Sequence, residues 1–165
     1  KWLSKETSHG PLVSEKAADD VYTLVKQAIK QGAKVKLGGK KSSLGECYFE
    51  PTILTDLNTE MNIFKEEIFG PVAPIFKFES EQDAITMANN TEFGLASYIF
   101  TNNIARAWRL AKNIEYGMVG INETAIGSEM IPFGGMKESG NGREGSKYGL
   151  EDYTEMKYIC LGGLA

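Results

Sequence analysis

The sequence predicts an α/β fold with a mostly parallel sheet, and three observations carry that expectation. Short extended runs alternate with helical runs along the 165 residues, which is the grammar of an α/β layer. The helical runs repeat apolar residues three and four apart. Gly, Pro, Asn and Ser punctuate the changes from one type of run to the next.

Taken in order, Ser14 is placed to cap a helix that runs to about Gln31. Val21, Leu24, Val25, Ala28 and Ile29 give it one apolar face, and Gly32 is a natural stop. "AKVKL" alternates as a short strand does, and Gly38-Gly39 ends it. "CYFEPTIL" is a second extended run, whose Pro51 argues for an edge or an irregular spot. "PVAPIFKF" reads as the next strand. Ser80 and Asp83 then resemble a capping box, and Ala84, Met87 and Ala88 face inward from the helix behind it. "GLASYIFT" is a strand, and Asn102-Asn103 turns the chain. Ile104, Ala107, Trp108 and Ala111 carry a further helix, Gly117 is placed to stop it, and "MVGIN" is again a strand. The closing "YTEMKYICLGG" reads as a terminal strand. No internal repeat or low-complexity linker interrupts the chain, so the expectation is one unit over residues 1–150 and a terminal strand with its tail over 151–165.

The totals exclude several classes. Apolar residues make up 42% and charged ones 24%, a globular mix rather than a disordered one. A net charge of -4 gives no support for nucleic acid or an anionic membrane surface as partner. No apolar run approaches bilayer length. The first residues lack the apolar region of a signal peptide. Cys47 and Cys160 form no C-x-x-C pair and read as two reduced thiols, which predicts a cytoplasmic setting. His9 is the single histidine, so no histidine-rich metal site is expected.

Two motifs invite a wrong assignment. Gly140-Asn141-Gly142-Arg143-Glu144-Gly145 spells G-x-G-x-x-G, but the dinucleotide fingerprint needs a strand before it and a helix opening from it. "GGMKES" is no strand, and an acidic residue about 20 positions on would fall at or beyond the last residue. A loop needing positive φ or close backbone approach accounts for these glycines better. Tyr153 and Lys157 have the spacing of a short-chain dehydrogenase pair, yet in a strand such residues lie about 13 Å apart.

Five stretches, in this order along the chain, carry a resemblance: "YFEPTIL", "KEEIFGPVAPIFKF", "ANNTEFGLASYIFT", "YGMVGIN" and "PFGGMKESGNGREGSKYGLEDYTEMKY". Together they resemble the C-terminal part of the catalytic domain of an aldehyde dehydrogenase, across essentially the whole chain. The closing "GREGSKYGLEDYTEMKYICLGG" is most similar to the succinate-semialdehyde dehydrogenase branch. The resemblance implies oxidation of a small-molecule aldehyde to an acid with NAD or NADP: a cysteine attacks the carbonyl, hydride passes to the nicotinamide, and a glutamate activates the hydrolytic water. In that family the Rossmann domain, the nucleophilic cysteine and the general-base glutamate precede the matched region. The chain is therefore expected to be a fragment, inactive alone, with no catalytic cysteine of its own.

The resemblance also assigns residues. Glu67 and Phe69 match cofactor contacts, the carboxylate on the nicotinamide ribose and the ring beside the nicotinamide; the plain alternative is a solvated charge and a core ring. Phe133 matches an aromatic of the substrate tunnel. Glu144 matches a carboxylate behind the catalytic site that relays a proton through water, against the alternative of an ion pair with Arg143 or Lys147. In "TAIGSEM", related semialdehyde enzymes place a serine for the distal carboxylate of the substrate. Here Gly127 holds that position with Ser128 beside it, which leaves the aldehyde open. The C-terminal strand resembles one that adds to a neighbouring subunit, which implies a homo-oligomer. The competing reading is a non-catalytic assembly or binding module derived from the same fold.

Overall fold

Ser14 does cap the first helix, α1 (Glu15–Lys30): its hydroxyl oxygen accepts the Ala17 N–H at 3.1 Å. Residues 5–163 are described here in a computed structural model. The exit of α1 follows from Gly32, whose φ of +113° lets the Ala33 N–H reach Ala28 O at 2.9 Å and the Gly32 N–H reach Ile29 O at 3.1 Å. Ala18, Val21, Val25 and Ala28 form the buried stripe, while Leu24 is half-buried and Ile29 is exposed. Two compact units follow one another along the chain, the first ending at Glu79 and the second starting at Ser80. Residues 1–4 and 164–165, the outer ends of the two expected segments, lie outside the described residues.

In the first unit, β1 (Lys34–Leu37), β2 (Thr52–Thr55) and β3 (Val72–Pro74) form one sheet in that order. β1 pairs antiparallel with β2, and β2 pairs parallel with β3. Pro51 lies just ahead of β2, an irregular spot as expected, but β2 is the central strand rather than an edge. A proline has no N–H for a ladder, so the extended run starts pairing only after it. Thr52 and Leu54 point into the core. The Thr52 hydroxyl is buried but satisfied: it donates to Glu50 O and accepts the Gly39 N–H, both at 2.7 Å. Ile63 comes from a one-turn helix absent from the sequence expectation, α2 (Asn62–Lys65), and joins Val25, Phe49, Leu54 and Met61 in the core.

In the second unit, Ser80 and Asp83 form the complete capping box of α3 (Glu81–Asn89), each side chain taking the other's backbone N–H at 3.0 Å. β4 (Ala96–Ile99) and β5 (Met118–Ile121) pair parallel in register, so two of the three strand pairings in the described residues are parallel. Between them runs α4 (Ile104–Asn113), capped by Asn103. It is clipped to α3 where Glu81 receives Arg109 through two hydrogen bonds of 2.8 and 2.9 Å. Of the expected inner face, Ala107 is fully buried, while Ile104 and Trp108 stay exposed.

One expectation needs correction here. α4 ends at Asn113, four residues before Gly117, because Ile114 already turns extended (ψ 135°). Gly117 serves a close approach instead: a β-carbon there would collide with the carbonyl of Gly134. The terminal run, expected to add to a neighbouring subunit, finds no ladder among the described residues of this single chain. Tyr153 ends a 3-10 turn (Tyr148–Tyr153), and residues 154–163 then run without a ladder partner among the described residues. A β-pattern becomes a strand only where a second backbone supplies the complementary N–H and C=O groups.

Candidate functional site

The sequence-assigned residues fall into one group in each unit. In the first, Glu66 terminates α2 with an extended backbone (φ −80°, ψ 137°) and sends Glu67, Ile68 and Phe69 along α1. Gly70 follows, where a β-carbon would meet Val21 Cγ2 at 2.7 Å, so the chain can pass this close to the helix only with glycine. Glu67 and Phe69 line a cleft of about 430 Å³ whose other wall is α1, through Ala17, Asp20, Leu24 and Gln27. Phe69 is 79% exposed, so it is not a core ring in this unit. Glu67 is exposed and enters no ion pair among the described residues. An acceptor-only carboxylate beside an open aromatic face suits a sugar diol next to a flat ring.

The second group is built on the glycine-rich run. Phe133 and Glu144 form a two-residue antiparallel bridge, exchanging backbone hydrogen bonds of 2.9 and 2.6 Å. Residues paired in this way project side chains to the same face. The glycines between them answer to sterics. A β-carbon on Gly134 would meet Gly142 O at 2.5 Å, while Gly140 and Gly145 hold φ of +109° and +67°. The G-x-G-x-x-G letters are preceded by a 3-10 turn (Lys137–Ser139) rather than a strand, and no α-helix opens from them. Arg143 is spent inside the run: its Nη1 donates to Gly135 O at 2.6 Å and Gly142 O at 2.8 Å, and its backbone N–H donates to Asp152 Oδ2 at 2.9 Å. Lys147 sits over the Tyr148 ring, 5.0 Å from its centre. Glu144 therefore pairs with neither neighbour, and its carboxylate stays exposed beside a cleft of about 750 Å³ that Phe133, Leu150, Asp152 and Tyr153 also line.

The loop from Asn122 to Pro132 carries Gly127 and Ser128, both exposed. The Ser128 hydroxyl oxygen accepts the Met130 N–H at 3.2 Å, which leaves its proton free to donate. Glu129 O accepts the Ser146 N–H at 2.9 Å and ties this loop to the glycine-rich run. The structure thus brings Phe133 and Glu144 together directly, and joins the Gly127–Ser128 loop to them through one backbone contact.

Sequence reasoning missed the residues that hold these segments. Asn122, in the left-handed region (φ 55°), uses its side-chain amide as a strand would: Oδ1 accepts the Thr101 N–H and Nδ2 donates to Thr101 O, both at 2.9 Å. Lys137 donates to Asn89 O and Thr91 O at 3.0 and 3.1 Å and pairs with Glu115 at 2.6 Å. Nearby, burial raises the phenol of Tyr116 above its ordinary pKa, with Lys137 opposing. Cys47 and Cys160 are both free thiols, the first half-buried and the second exposed. Among the described residues no cluster of three metal-ligating side chains occurs.

Comparison with known proteins identifies the family. The model of the aldehyde dehydrogenase family matches residues 1–159. The succinate-semialdehyde dehydrogenase of Oryza sativa mitochondria is 52% identical over 162 residues, 98% of this chain and 31% of that protein. The glutarate-semialdehyde dehydrogenase of Pseudomonas aeruginosa is 54% identical over 98% of this chain and 34% of its own length. The crystal structure of succinate-semialdehyde dehydrogenase from Burkholderia pseudomallei superimposes with a TM-score of 0.92 at 48% identity, over 96% of this chain and 33% of that one. The chain thus spans about a third of the length of these relatives. With its α/β architecture and this match over nearly all its residues, the chain belongs to the aldehyde dehydrogenase family.

Proposed function

We propose that the polypeptide carrying this segment oxidises a small aldehyde with an anionic group at its far end, succinate semialdehyde first, to the acid with NAD or NADP. The observation that carries the reading is the agreement among relatives about half identical to this chain. Their names specify succinate semialdehyde, glutarate semialdehyde and 3-sulfolactaldehyde, each an aldehyde with a distal acid group.

The nicotinamide cofactor supplies the hydride acceptor when bound. Glu67 is the residue of this chain proposed to accept the ribose hydroxyls, with Phe69 as a rigid wall beside the ring; their exposure on one cleft fits that role. Phe133 is proposed to line the substrate channel. Glu144, unpaired and exposed, is proposed to pass a proton through water. The Gly127–Ser128 stretch is proposed to meet the distal anion, and the Ser128 hydroxyl has a proton free to offer it. The run 154–163, with Met156, Tyr158 and Ile159 exposed, is proposed to add to the sheet of a second copy and make a homo-oligomer. Among the described residues no helix is long and apolar enough to cross a membrane. Two free thiols support a reducing compartment such as the cytoplasm.

The test is formation of reduced cofactor by the whole polypeptide. Succinate semialdehyde should give a higher kcat/KM than butanal, and absence of turnover with every aldehyde would refute the reading. Glu67→Gln should slow hydride transfer in a single turnover about tenfold, the weight of one charge-assisted hydrogen bond. An unchanged single-turnover rate removes Glu67 from the cofactor site.

A further inference from the structure

The loop that carries Gly127 and Ser128 is anchored at its ends and held by little in between. At its start, Asn122 is locked to Thr101 through both atoms of its side-chain amide. At its far end, Glu129 O accepts the Ser146 N–H at 2.9 Å. At Gly127 itself, a β-carbon would find no heavy atom within 4 Å. Between the anchors stands Glu123, whose Oε1 accepts the Thr124 N–H at 2.8 Å and the Ala125 N–H at 2.9 Å. The loop then folds back over β5. A β-carbon on Gly120 would collide with Glu123 O and would lie 3.0 Å from Ile126 Cγ2. The Ala125 and Thr124 N–H groups hold the carboxyl of Glu123 below its ordinary pKa.

We propose that, given the aldehyde oxidation proposed above, Glu123 is a positioning residue: its carboxylate fixes the peptides of Thr124 and Ala125 and thereby presents Gly127 and Ser128 to the distal anion of the substrate. It touches neither substrate nor cofactor. The two N–H groups are neutral and leave the carboxylate its negative charge, so Glu123 acts by holding its own loop and not by attracting the anion. The contribution is orientation, which lowers the ordering cost of binding.

Two variants in the whole polypeptide test this. Glu123→Ala removes the acceptor, whereas Glu123→Gln keeps an oxygen that can accept the same two N–H groups. With Ala, amide exchange in a peptide spanning 122–131 should quicken about tenfold, and KM for succinate semialdehyde should rise by a similar factor, the weight of one ordinary hydrogen bond. kcat and KM for the nicotinamide cofactor should stay as they are, and Gln should restore both moved quantities. Unchanged exchange in Glu123→Ala overturns the hold, and faster exchange with an unmoved aldehyde KM overturns the link to substrate. A parent protein that oxidises no aldehyde refutes the functional reading and the substrate link with it. The exchange measurement needs no turnover and still decides whether Glu123 orders the loop.

Discussion

At the scale of single residues, two glycines make opposite predictions. Gly117 and Gly134 approach so closely that a β-carbon on Gly117 would collide with backbone, which cannot yield as a flexible side chain can. Gly117→Ala should destabilise the protein by about 2 kcal/mol, read as a lower denaturation midpoint; an unmoved midpoint would contradict the packing. Gly127 has open space around it and does not hold a positive φ. Gly127→Ser should fold with an unchanged Tm and raise kcat/KM for succinate semialdehyde several-fold, by about the factor of one added hydrogen bond. A fall in that ratio would mean that the loop does not face the distal acid. The pattern of letters revealed that the glycine-rich run was a constrained loop, since glycine is the residue that positive φ demands. It could not reveal which atom each glycine meets, because Gly117 and Gly134 are brought together by the fold and not by the chain.

At the scale of elements, the local signals were legible. Ser14, Ser80 and Asn103 each cap the helix that the sequence places after them, since a cap bonds only within its own first turn. Elements that need a distant partner were less so. The run from Tyr153 has a strand's alternation but no ladder, and α2 is too short to show a period. The clip between α3 and α4 was equally invisible, because Glu81 and Arg109 are 28 positions apart. That clip sets a pH dependence. Arg109 first, then Arg106, holds the Glu81 carboxyl below its ordinary range. A depressed carboxylate stabilises the fold fully above its unfolded pKa and loses that contribution as pH falls through its folded one. Stability should therefore decline on the acid side, and Arg109→Gln should flatten this limb in urea titrations at successive pH values. A limb of unchanged slope would show that the pair is screened out, as exposed ion pairs often are.

At the scale of the whole molecule, the family was legible because five separated stretches fall in one order, and the matched model covers residues 1–159. The exact aldehyde was not, since the resemblance implies a serine at the position that Gly127 holds. The terminal run leaves Tyr153, Met156, Tyr158, Ile159 and Leu161 largely exposed. Such a density of apolar side chains on an unpaired backbone invites a partner edge. Ending the whole polypeptide after Tyr153 should lower the mass seen by light scattering, and an unaltered mass would refute assembly through this run. Residues 1–165 alone should form no reduced cofactor from aldehyde, and clear turnover would place a nucleophile within this segment.

The bridge between Phe133 and Glu144 has a further consequence. The backbones of two residues joined by one pair of reciprocal hydrogen bonds move together. A disturbance that shifts the backbone at one position shifts it at the other, so damage at either should register at both. Under the roles proposed for these two residues, a change to the channel wall would also be a change to the proton path.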